Sequence, residues 1–149
     1  LTQNGRERWP VDRMEYGYRT SVLKRSTLKF VILAAEMRLS HSTKEAVRFK
    51  MAEFIAKRKS SQPPGASMGS MFKNPPGDFA GRLIEAAGLK GMRIGNAEIS
   101  KVHGNFFVNH GDTKAGDIRK LIELAQKTVL EKFGVKLELE VEMIGEWDE

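Results

Sequence analysis

The chain has 149 residues, 40% of them hydrophobic and 30% charged, which fits one folded domain, or one small domain plus part of another, and excludes a disordered chain. The absence of cysteine excludes disulfides, thiolate metal sites and a cysteine nucleophile, and His41, His103 and His110 are too scattered for a zinc site by spacing. The net charge of +6 is uneven: residues 1–60 carry 14 Lys/Arg against 6 Asp/Glu, and residues 61–149 carry 11 against 13.

A basic first half suits nucleic acid, a membrane surface or a phosphorylated small molecule. No five-residue run of like charge, arginine-rich arm or zinc-finger spacing accompanies it, so no nucleic acid partner is expected. The longest apolar run, Phe30-Val31-Ile32-Leu33-Ala34-Ala35, is far too short to span a bilayer. Leu1–Arg6 has no apolar region behind it, so no signal peptide is read and a cytoplasmic location is the default. Leu1 is not an initiator methionine, and the chain reads as a fragment. The sequence carries no signal of oligomeric state.

Residues 1–20 are polar, and Glu15-Tyr16-Gly17-Tyr18-Arg19-Thr20 suits a turn. Lys29 to Leu39, rich in β-branched and apolar types, predicts a strand whose first half lies inside a sheet. Ser42-Thr43-Lys44-Glu45 has capping-box spacing with Ser42 as N-cap. Val47, Met51, Phe54 and Ile55 then form one apolar helix face, opposite Lys44, Arg48, Lys57 and Arg58. That helix must end by Pro63.

The turn-rich run Ser60–Ser67 leads into Gly69-Ser70-Met71-Phe72-Lys73-Asn74-Pro75, with a second break at Pro75-Pro76-Gly77. A hydroxyl, a cation and an amide on a restrained loop suit a polar, anionic ligand; by composition alone an ordinary linker stays open. Asp78 is expected to cap a helix from Phe79 to Ala87, with Phe79, Ala80, Leu83, Ile84 and Ala87 buried and Gly88 left-handed after it. Met92–Ser100 offers short extended pieces around Gly95-Asn96, and Asn105–Asn109 reads as a strand. Asp112 or Thr113 should cap a long helix to Phe133, stopped by Gly134. From Val135 to Met143 apolar residues alternate with Lys136, Glu138, Glu140 and Glu142, predicting a strand with three carboxylates on one face roughly 6.6–7 Å apart. No G-x-G-x-x-G follows a strand and no P-loop is present.

Taken in order, Tyr18-Arg19-Thr20-Ser21, the Gly69–Pro75 loop, Ala80–Gly91, Ile94–Ser100, Asn105–Asn109 and Leu137–Gly145 resemble the UDP-N-acetylenolpyruvoylglucosamine reductases, also called UDP-N-acetylmuramate dehydrogenases. The resemblance implies an α+β fold, with residues 1–60 as the end of the FAD-binding domain and residues 61–149 as the substrate-binding C-terminal domain. It implies a flavoenzyme of peptidoglycan synthesis that uses FAD and NADPH on UDP-N-acetylglucosamine enolpyruvate. The family's glycine-rich pyrophosphate loop has no counterpart in these residues. By the resemblance Ser70 is the proton donor, Glu140 the essential glutamate and Arg19 the substrate-polarising arginine. Asn74 and Lys73 are expected at the sugar-nucleotide and its phosphates, with Arg58 a further substrate contact. Where the family often has a basic residue two places after the glutamate, this chain has Glu142. A second reading is a non-catalytic module that binds UDP-sugars or other polyanions through the basic first half.

Overall fold

Four short runs between Ala66 and Asn109 meet as one antiparallel sheet in the computed structural model of the chain, which describes residues 1–147. The strands are β1 (Ala66–Ser70), β2 (Arg93–Ile94), β3 (Ala97–Ile99) and β4 (Phe106–Asn109), in the spatial order β1-β4-β3-β2. Gly95, left-handed at φ 55°, makes the tight β2–β3 connection between the short extended pieces expected around Gly95-Asn96. The helices are α1 (Val22–Arg25), α2 (Lys44–Ser61), α3 (Ala80–Ala86) and α4 (Ala115–Phe133). Helices and an antiparallel sheet give the α+β class expected from the sequence. The backbone divides into two units, Leu1–Lys44 and a second that starts at Glu45.

The second unit holds the core. Its interior joins Leu83 and Ile84 of α3, Ala97 and Ile99 of β3, Phe107 of β4, Leu121, Ile122, Ala125 and Val129 of α4, and Met71, Phe72 and Leu137. The α4 stripe follows from apolar residues at helical spacing, and left-handed Gly134 ends the helix as expected. Lys114, not Asp112 or Thr113, is the N-cap of α4. Among the described residues no helix is long and apolar enough to cross a membrane.

Three expectations need correction. Residues 29–39 form no strand: Phe30, Val31, Ile32 and Leu33 are 37–66% exposed, and among the described residues the only backbone pairing there joins Val31 with Leu1. An extended apolar run becomes a strand only when another backbone supplies its ladder. Residues 135–143 alternate as predicted up to buried Leu137, but among the described residues they pair with the sheet side through a single bridge, Leu139 with Phe72. The row of three carboxylates is therefore broken up: Glu138 is exposed and paired with Lys73, Glu140 is half-buried and Glu142 is exposed. Finally, α3 starts one residue later than expected. Phe79 is its N-cap and is 66% exposed, while Ala80, Leu83, Ile84 and Ala87 are buried as predicted.

Helix α2 starts at Lys44, one residue beyond the start that Ser42 as N-cap would give, and ends before Pro63. None of its residues is buried, and Val47, Met51, Phe54 and Ile55 are 46–57% exposed.

Candidate active site

The site builds outward from the end of β1. Between Ser67 and Ser70 the pairing of β1 with β4 shifts register, at left-handed Gly69 (φ 86°), and Ser70 regains a partner in Phe106. An irregularity of this kind bends a strand and re-aims its side chains. Ser70 is half-buried, and among the described residues its hydroxyl makes no hydrogen bond. It is thus a hydroxyl on a fixed backbone with its donor uncommitted.

Beyond Ser70 the chain runs beside residues 138–140. The Lys73 N–H donates to Glu138 O at 2.8 Å, and the Glu140 N–H donates to Met71 O at 2.9 Å. Ser70 and Glu140 therefore stand on either side of one backbone hydrogen bond, since Met71 follows Ser70 directly. The Lys73 ammonium lies 3.2 Å from Glu138 Oε2 in an exposed pair of the kind that adds little stability.

Asn74 turns its Oδ1 to accept the Ala80 N–H at 3.1 Å, tying the loop to the start of α3. Asp78 Oδ1 accepts the Phe79 N–H at 2.7 Å and is also held by the Arg82 guanidinium. These bonds, first the one from Arg82 and then the one from Phe79, hold the Asp78 carboxyl down at about 2. A carboxyl titrating below its unfolded value stabilises the fold above the unfolded range, and that contribution fades as pH falls through about 2. A carboxyl-resolved NMR titration should place the Asp78 midpoint near there in the native protein. In Arg82→Ala it should rise towards the ordinary aspartate range, roughly 3.9; an unmoved midpoint would contradict the pairing.

The remaining sequence-derived candidates sit on other elements. Arg58 lies in the last turns of α2, where its Nε donates to Gln62 Oε1 at 3.0 Å. Arg19 belongs to the first unit, at a turn closed by pairing of Gly17 with Thr20. It is left-handed at φ 56°, with its guanidinium 5.8 Å from the Tyr18 ring.

One residue beside the site carries more than its sequence position suggests. Asn105 reads as the first residue of a strand, yet it is 3% exposed and its side-chain amide bonds the Phe72 backbone twice. The available signal was an amide between a glycine and the apolar run of β4; its partner, 33 residues away, leaves no local trace.

Residues 60–144 match the family model described as "UDP-N-acetylenolpyruvoylglucosamine reductase, C-terminal domain". The chain belongs to the UDP-N-acetylenolpyruvoylglucosamine reductase family. It is 52% identical over 149 residues to the family's reductase from Chloroflexus aggregans, covering 97% of this chain and 50% of that protein. The Chloroflexus aurantiacus reductase is 48% identical over the same span and coverage. A crystal structure of the reductase from Thermus caldophilus superposes with a TM-score of 0.66 at 41% identity, covering 88% of this chain and 46% of that one. The chain spans about half the length of the curated relatives it matches.

Proposed function

We propose that this chain supplies the substrate-handling side of an FAD- and NADPH-dependent reductase that converts UDP-N-acetylglucosamine enolpyruvate to UDP-N-acetylmuramate for peptidoglycan, in the cytoplasm. Residues 1–60 then serve as the end of the flavin-binding region and residues 61–149 as the substrate-binding domain. What supports this reading is the Glu140 N–H to Met71 O bond: it puts Glu140 on backbone adjoining Ser70, the two positions that the resemblance gives as essential glutamate and proton donor.

The described residues do not fit a flavin site of their own. The glycines make no pyrophosphate loop, and among the described residues the Phe30–Leu33 run, expected inside a sheet, has a ladder partner only at Val31. A flavin held by the full-length reductase would supply the hydride for the enolpyruvyl double bond. This chain's residues handle the charge and the proton that follow.

Addition of a hydride to one carbon of that double bond leaves an electron pair at the neighbouring carbon, delocalised into the substrate carboxylate. Arg19 offers that carboxylate a planar fork. Glu140 hydrogen-bonds the enol form and lowers its energy. The Ser70 hydroxyl then forms the new C–H bond by giving up its proton, and the serine oxygen recovers one from solvent. Such a transfer depends on hydrogen-bond reach more than on a shifted acidity. Lys73, Asn74 and Arg58 address the sugar and its phosphates, and the exposed Lys73–Glu138 pair is weak enough to exchange for a phosphate.

The 149-residue chain alone is expected to purify without flavin absorbance. In a flavin-loaded full-length protein that carries it, NADPH oxidation should depend on UDP-N-acetylglucosamine enolpyruvate. Substrate-independent oxidation only, or UDP-sugar binding with no turnover, would replace the enzymatic reading with that of a binding module. Tight, strongly salt-dependent RNA binding without UDP-sugar binding would overturn both.

A further inference from the structure

We propose that Asn105 is a positioning residue for proton delivery, an inference that rests on the reading of Ser70 given above. Strand β4 begins at Phe106, which pairs with Ser70, so the chain after Ser70 runs past the end of its partner strand. In regular extended backbone successive residues turn their edges to opposite sides. Here two consecutive amides converge on one residue: the Met71 N–H donates to Asn105 O at 2.8 Å, and the Phe72 N–H donates to Asn105 Oδ1 at 2.9 Å. Asn105 Nδ2 donates back to Phe72 O at 2.7 Å. A side-chain amide carries the same donor and acceptor as a peptide group, so Asn105 adds a rung to the sheet where the backbone of β4 has none.

That rung sits between the two functional positions. Its near end is the residue pair directly after Ser70, and its far edge is the Met71 carbonyl that accepts from Glu140. Residues 71 and 72 are therefore held on one side by Asn105 and on the other by residues 138–140. Asn105 is itself anchored: its N–H donates to His103 Nδ1 at 3.2 Å. Its neighbour Gly104 lies so close to α3 that a Cβ there would come 2.7 Å from Gly81 O. The turn before β4 thus transmits its position to Ser70 through a side chain whose amide is taken up by the Phe72 backbone. Aspartate keeps the acceptor but, when ionised, loses the donor to Phe72 O, and serine is too short to span both groups.

The test is rapid-mixing kinetics on flavin-loaded full-length protein carrying this chain, with each half-reaction followed separately. Asn105→Asp is expected to slow substrate-dependent flavin reoxidation by roughly 10–100-fold, the scale for a reacting group displaced by about 1 Å. Flavin reduction by NADPH should stay within about twofold of native, and the solvent deuterium effect on reoxidation should grow as proton delivery becomes limiting. Native-rate reoxidation in Asn105→Asp, or equal slowing of both half-reactions, would overturn the positioning role. Ser70→Ala in the same assay separates the two readings. If it reoxidises at the native rate, the assignment of Ser70 fails. If it is slow while Asn105→Asp is fast, only the role of Asn105 fails. Should Asn105→Asp and Asn105→Ser both fail to fold, amide exchange in the native protein decides. A Phe72 amide protected like that of Phe107 supports the clamp, and a rapidly exchanging one sinks it.

Discussion

Replacing Ser70 with alanine is expected to leave flavin reduction by NADPH intact while slowing substrate-dependent reoxidation by roughly 10²–10⁴-fold, the usual span for loss of a general acid. The asymmetry follows from where Ser70 stands. It ends β1 at a register shift beside Glu140, and among the described residues its hydroxyl has no competing partner. The substitution removes one oxygen from a half-buried position, leaves the Phe106 pairing untouched, and should leave the melting temperature nearly unchanged. Substrate affinity should also hold, because a group that acts on the transition state alone changes the rate and not the binding. Rapid reoxidation by the alanine variant would remove Ser70 from the reaction and leave the chain with a binding role.

How much of this was legible in the residues depends on whether the partner of each segment was near in sequence. Gly88 and Gly134 end their helices where the sequence places them, because a left-handed residue after an apolar stripe is a local signal. The short extended pieces around Gly95-Asn96 and the buried β4 strand were legible for the same reason. The runs at 29–39 and 135–143 misled because alternation and β-branching report which side chains are apolar, not whether another backbone lies alongside. Helix α2 shows the same limit, with an apolar face that nothing among the described residues buries. At the site, Ser70 and Glu140 came from the resemblance to the family, and no periodicity could have set them on adjoining backbone. The bonds that do so span 33 residues from Asn105 to Phe72 and 69 from Met71 to Glu140.

Phe72→Ala should be the most destabilising substitution around the site, by about 3–5 kcal/mol, as for other buried aromatics cut to alanine. Phe72 is 1% exposed, and its ring packs edge-on against Phe107 of β4 at 6.1 Å between centroids. Its backbone meanwhile bonds Asn105 and bridges to Leu139, so the cavity would open where both edges of the site segment are tied. A loss of that size corresponds to a fall in melting temperature of about 10–15 °C for a domain of this length. Phe79→Ala is the matched control, with the same atoms removed seven residues away at the exposed cap of α3, and it should stay within about 0.5 kcal/mol of native. Urea midpoints for the two variants check both values. The sequence pattern alone ranks Phe79 among the buried stripe of α3, whereas the packing makes Phe72 the residue that the fold cannot spare. Similar losses for the two would return Phe79 to the core and undo the correction made to that helix.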